Sequence, residues 1–101
     1  MSVGRGNRNV RTKVYKDRLE HLGDRIAKLA EDAFGVFLKD PESPILNNHP
    51  LHDTHRGQHR NGSRAVSVTL RYRAIYVVDG DVNVWYWIGT HEDYNNFTGC
   101  K

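Results

Sequence analysis

A chain of 101 residues is the length of one domain, and by size scaling it can bury roughly two-thirds of the surface its unfolded form exposes. A two-domain enzyme is excluded, and 38% hydrophobic with 27% charged residues is the composition of a polar but foldable globular protein, not of a disordered one. Fifteen Lys and Arg against twelve Asp and Glu leave only +3 with His neutral, so the total charge points to an anionic partner less than its distribution does.

Residues 1–11 mix Gly, Asn, Ser and Arg with scattered valines. They offer nothing to bury and read as a mobile basic arm on a single domain spanning 1–101. From Lys13 to Leu22, Val14, Leu19 and Leu22 have helical spacing, and Gly23 stops the helix. Asp24 sits where an N-cap belongs. Ile26, Leu29, Ala30, Ala33, Phe34, Phe37 and Leu38 then recur at three- and four-residue intervals, the strongest helix in the chain. Asp40-Pro41 ends it. Residues 40–64 hold all three prolines and four histidines and read as a long connection with a brief strand near Leu51.

Beyond it the period changes to two. Val66, Val68 and Leu70 alternate with Ser67, Thr69 and Arg71 in a half-buried strand. Tyr72 to Val78 is a second strand, Asp79-Gly80-Asp81 a hairpin turn, and Val82 to Ile88 a third. Helices first and a meander after predict an α+β fold, with an N-terminal helix pair packed on a small, mainly antiparallel sheet. The tail from Gly89 to Tyr94 leaves the third strand, where polar and aromatic residues are well placed to carry function. Cys100 is the only cysteine, so no internal disulfide forms and a reducing cytoplasm fits best. Neither a signal-peptide apolar run nor a membrane-spanning stretch occurs in the sequence, and no membrane partner is expected.

Three constellations could carry chemistry. His49, His52, His55 and His59 have metal-like steps, but Pro50, Gly57 and Gly62 place them in a loop. No cysteine or fixed carboxylate completes a tetrahedral set, so no metal or other cofactor is expected. The second is basic. Residues 55–73 carry five Arg and no acid, residues 1–28 eight Lys or Arg against three acids. Arg71 and Arg73, read as neighbours on one strand face, suit a phosphodiester, which guanidinium grips through paired hydrogen bonds; the plainer account pairs these arginines with acids of the second helix. The third is His91, able to move protons near neutrality, with Tyr94 close by.

Two N-terminal helices, a His-Pro-Leu loop at 49–51, the strand Tyr72-Arg73-Ala74-Ile75-Tyr76 and the ending Trp87-Ile88-Gly89-Thr90-His91-Glu92-Asp93-Tyr94 together resemble the RelE/ParE superfamily of bacterial type II toxin–antitoxin toxins, over roughly residues 13–97. The resemblance implies a toxin, in first place a ribosome-dependent, metal-independent mRNA endonuclease that inhibits translation. The alternatives are a ParE-like DNA gyrase inhibitor and an inactive, antitoxin-binding relative. It implies a cognate antitoxin, with ribosome and mRNA (or gyrase) as targets. It also implies roles: Arg73 as the arginine of the Tyr-Arg motif, His91 as a position used in catalysis, His49 of the His-Pro-Leu loop as its complement, and Arg64 near a position where such toxins hold lysine. Tyr94 and Phe97 are candidates for the aromatic that supports the mRNA base. Val66 stands where a second basic residue would be expected. Catalytic work thus falls to His91, Arg73, His49 and Tyr94, and RNA binding to Arg64, Arg71 and Phe97. Two expectations about placement follow: Arg64, Arg71, Arg73 and His91 converge on the sheet face opposite the helix pair, and Trp85, Trp87 and Phe97 form an exposed patch for an antitoxin.

Overall fold

The break in hydrophobic period near residue 63 divides the molecule into helices and sheet as expected. The computed structural model describes residues 8–52 and 57–99. In chain order these form β1 (Arg8–Arg11), α1 (Lys13–Leu22), α2 (Asp24–Lys39), β2 (His49–Pro50), β3 (Ser63–Thr69), β4 (Tyr72–Asp79), β5 (Val82–Thr90) and α3 (His91–Thr98). The sheet order is β1-β5-β4-β3-β2; β1 runs parallel to β5 and the other pairs are antiparallel.

Thr12 caps α1 by accepting from the Tyr15 N–H. Gly23 then serves both helices: its N–H donates to Glu20 C=O, and its carbonyl accepts from Ala27 N–H. Its φ of 95° is a conformation that glycine adopts without strain. The N-cap of α2 is therefore Gly23, and Asp24, expected there, is the first helical residue. The stripe Ala30, Ala33, Phe34 and Phe37 faces the sheet, where Phe37 meets Trp85 edge-on at 4.9 Å and Tyr76 at 5.3 Å.

Two elements depart from the sequence reading. Arg8–Arg11, placed in the mobile arm, form β1: Asn9 accepts through Oδ1 from both Asn83 Nδ2 and the Trp85 indole, and Arg11 pairs with Glu31 across the Phe34 ring. Residues 1–7 of that arm lie outside the described residues. The tail after β5 is a full helix, α3, started by Thr90, whose hydroxyl accepts from Asp93 N–H. It covers the sheet face opposite α1 and α2, so the sheet is buried on both sides.

A register irregularity sets which residues reach which face. Ile75 pairs with Trp87 but Tyr76 with Trp85, leaving Tyr86 as an extra residue in β5. Such a bulge inverts the alternation of side chains. Trp85 therefore packs under α1 and α2 with Tyr15 and Tyr76, while Trp87, two residues on, packs under α3 with Ala65, Ile75 and Tyr94.

The expected brief strand near Leu51 is β2, whose His49 pairs with Ala65. The long connection is anchored: Leu46 is fully buried and accepts from Ser67 N–H, and Gln58 N–H donates to Phe97 C=O.

Candidate functional site

The α3 face holds most of the residues singled out from the sequence. β5 ends at Thr90, so His91 is the first residue of α3, and its N–H donates to Arg71 C=O at 2.6 Å. The cap and this bond fix an exposed imidazole at the rim of the sheet. The His91 ring stacks on the Tyr94 ring, centroids 6.4 Å apart and planes 17° from parallel. On its far side the Tyr94 hydroxyl lies 3.4 Å from His49 Nε2. His49 Nδ1 is 2.8 Å from the carbonyl of Asn47, an acceptor only. Nδ1 therefore carries the proton in the neutral ring, leaving Nε2 to accept from Tyr94. His49, Tyr94 and His91 stand in a row, brought together from residues far apart in sequence by β2 pairing and by α3.

Arg73 belongs to the same face, opposite Ser67 on β3 and Gly89 on β5. Its Nη1 donates to the carbonyls of Thr69, Tyr72 and Leu70 at 2.8, 3.2 and 3.4 Å. Arg71 does not continue the strand as its neighbour. It lies in the tight turn, exposed, with its N–H on Thr69 Oγ1. Among the described residues neither arginine has a carboxylate partner; the ion pairs there are Arg11–Glu31 and Lys13–Asp17. The pairing with acids of α2 that would make these arginines ordinary surface groups is not seen for them.

Two expectations about placement are corrected. Arg64 is on the other face: it pairs across β3–β4 with Tyr76 and donates through Nε to Asn48 Oδ1 at 2.9 Å, while Asn48 Nδ2 donates to the Tyr76 hydroxyl and to Pro41 C=O, both at 3.0 Å. It is part of a polar clasp on the helix-pair side and does not converge with Arg73 and His91. The exposed aromatic patch is also absent. Trp85 and Trp87 are 3% and 4% exposed, and the half-buried Phe97 stacks on Trp87 at 5.0 Å. Aromatic pairs of this kind contribute about 0.5–1.5 kcal/mol beyond their buried area. Among described residues the exposed large apolar side chains are Val10, Val14, Leu38, Ile45 and Leu70.

The other histidines do not join His49. His59 Nε2 is 2.6 Å from the carbonyl of His52, and His55 lies outside the described residues. Among the described residues no three His, Cys, Asp or Glu side chains are placed to hold a metal, nor is any helix long and apolar enough to cross a membrane.

One cation of this face was missed. Arg18 of α1 reaches past β1, which pairs with β5 only as far as Trp85, and donates through Nε to Ile88 C=O at 2.6 Å. Its guanidinium lies 4.5 Å over the Trp87 ring. The signal was an arginine in the apolar stripe of an amphipathic helix, four residues after Val14 and four before Leu22.

No protein-family model and no curated protein matches the chain. Solved structures do. The structure of YafQ from E. coli strain BL21(DE3) matches with a TM-score of 0.67 at 13% identity, covering 85% of this chain and 94% of that one. The RelBE2 toxin–antitoxin complex from Mycobacterium tuberculosis matches with a TM-score of 0.60 at 22% identity, covering 88% and 100%. The YoeB/ParE toxin from Agrobacterium tumefaciens gives 0.60 at 16%, covering 83% and 98%. At these identities the likeness is one of architecture: helix pair, five-stranded mixed sheet and covering C-terminal helix give this chain a RelE-like fold.

Proposed function

We propose that the chain is the toxin of a type II toxin–antitoxin pair and that it cleaves mRNA on the ribosome. The observation that carries this reading is the row His49–Tyr94–His91 beside Arg73, two imidazoles joined through a phenol on a face whose arginines have no carboxylate partner among the described residues. Cleavage of this type is attack of a ribose 2′-hydroxyl on the adjacent phosphorus. The new P–O2′ bond forms as the P–O5′ bond breaks, giving a 2′,3′-cyclic phosphate and a 5′-hydroxyl end. A base must take the 2′ proton, cations must hold the phosphorane, and an acid must protonate the leaving 5′-oxygen.

Histidine can exchange protons near neutrality. His91, exposed at the rim, acts directly as acid or base; His49, linked to it through Tyr94, is its complement. Arg73 supplies charge at the phosphate, its Nη1 fixed by the turn carbonyls so that little rearrangement is needed on binding. Arg71, exposed in the turn beside His91, adds to the field along the RNA path. Phe97 stacks on Trp87, the ring on which Tyr94 also packs, instead of offering a ring to a base. Arg64 is not carried into the site.

A second reading, a toxin that binds its target without catalysis as a gyrase inhibitor would, draws on two observations. Glu92 and Asp93 are exposed beside His91, where they oppose an RNA phosphate. Val66 is buried under the helix pair, so no cation stands there. Induced expression separates the two: the nuclease produces growth arrest with cut transcripts, both lost in His91→Ala. A gyrase inhibitor produces DNA damage signalling with intact transcripts, indifferent to that substitution.

A further inference from the structure

The guanidinium of Arg18 has one hydrogen bond among the described residues, from Nε to Ile88 C=O. That bond and the stacking on Trp87 hold the group rigidly, and its two terminal amino groups have no described partner. They lie on the α3 face: a Cβ built on Gly89 would come within 2.8 Å of Arg18 Nη2 and 2.6 Å of Trp87 Cη2. Gly89 is the cross-strand partner of Arg73 and is two residues before His91. Glycine at this position is what lets the guanidinium settle onto the face at all. The Arg18 guanidinium thus lies over β5, the strand next to the one that carries Arg73, neighbouring strands being roughly 5 Å apart, at the edge of β5 that β1 leaves open.

A fixed guanidinium whose two amino groups have no partner among the described residues is suited to two oxygens of one phosphate. We propose that Arg18 binds a phosphodiester of the RNA next to the one that is cleaved, so that the strand crosses the open edge of β5 over Gly89. This inference rests on the reading of the α3 face as an RNA site and adds a binding residue on α1, an element not otherwise involved. Arg18 holds the strand in place; it transfers no proton.

The test uses the full chain with His91→Ala, which prevents cleavage, and a short single-stranded oligoribonucleotide as probe. Binding is measured across a salt series. Each phosphate contact contributes about 0.7 to the slope of log K against log salt for single strands. Adding Arg18→Gln should make the slope shallower by about that amount and weaken binding, whereas Arg18→Lys, which keeps the charge, should retain the slope. A packing role alone would lower thermal stability in both variants and leave the slope unchanged. An unchanged slope in Arg18→Gln overturns the proposal while the RNA site stands. If the His91→Ala protein binds no oligoribonucleotide, the RNA reading falls and Arg18 with it. Should Arg18→Gln fail to fold, Arg18→Met, which keeps an apolar stem over Trp87 without the charge, is read in the same way: a slope shallower by about 0.7 supports the proposal and an unchanged slope overturns it.

Discussion

Single side chains in this molecule divide between holding the fold and facing the proposed substrate, and Asn48 belongs to the first group. It links Arg64, Pro41 and Tyr76. Asn48→Ala should cost about 1–3 kcal/mol, because it strips hydrogen bonds from largely buried partners. Urea denaturation measures that loss, and growth arrest per folded molecule should not change, since the clasp lies on the face away from His91. Tyr15 makes a prediction about pH. Burial in the helix–sheet core raises its pKa from 10.0 to about 12, with Glu31 adding to the rise and Arg11 opposing it. The unfolded chain thus loses the phenol proton at a pH where the folded chain still holds it. Stability conferred by the neutral ring is complete below about pH 10 and is lost as pH rises towards about 12, a change on the order of 2–3 kcal/mol. Tyr76 is displaced in the same direction, chiefly by burial, so Tyr15→Phe should flatten part of the alkaline fall in denaturation midpoint and not all of it.

At the scale of elements, α3 decides where the site is. Its cap, Thr90, contacts no proposed substrate group, yet it fixes the turn that presents His91. Thr90→Ala should lower stability by about 1 kcal/mol and reduce toxicity by more than that loss explains, while Thr90→Ser should preserve both; thermal melts run beside a growth assay separate the two effects. The helix pair, β4 and β5 were legible in the sequence because their apolar residues keep one period over many positions. α3 was not, because His91-Glu92-Asp93-Tyr94-Asn95-Asn96 carries one apolar residue in six positions, and a helix this short is stabilised by packing Tyr94 and Phe97 on Trp87. β1 was hidden for a similar reason: Arg8–Arg11 has a single apolar residue, and its stability comes from pairing with β5 and from the Asn9 bonds to Asn83 and Trp85. The bulge at Tyr86 was equally invisible. Strict alternation would put Trp85 and Trp87 on one face; one extra residue sends them to opposite cores, so neither is left exposed for an antitoxin. Arg64 was misplaced because a basic run suggests one surface, whereas side chains of successive sheet positions leave in opposite directions.

For the molecule as a whole, the two faces of the sheet have different work. The face under α1 and α2 holds the larger aromatic core, and the Arg64–Asn48–Tyr76 clasp closes it. The face under α3 has a smaller core, bounded by His49, Tyr94, His91, Arg73 and Arg18, where cations stand without described carboxylate partners and two histidines come within one tyrosine of each other. Of that group the sequence supplied His49, Tyr94, His91 and Arg73 as candidates, but their meeting depends on β2 pairing and on α3. The central claim, that this rim performs strand cleavage, is tested most directly by mapping transcripts with 5′-hydroxyl ends in cells expressing the wild-type chain or His91→Ala. The account predicts abundant new 5′-hydroxyl ends within translated mRNA for the wild type and background levels for a folded His91→Ala protein. Equal numbers of such ends in both, or growth arrest by the wild type without any, would contradict it.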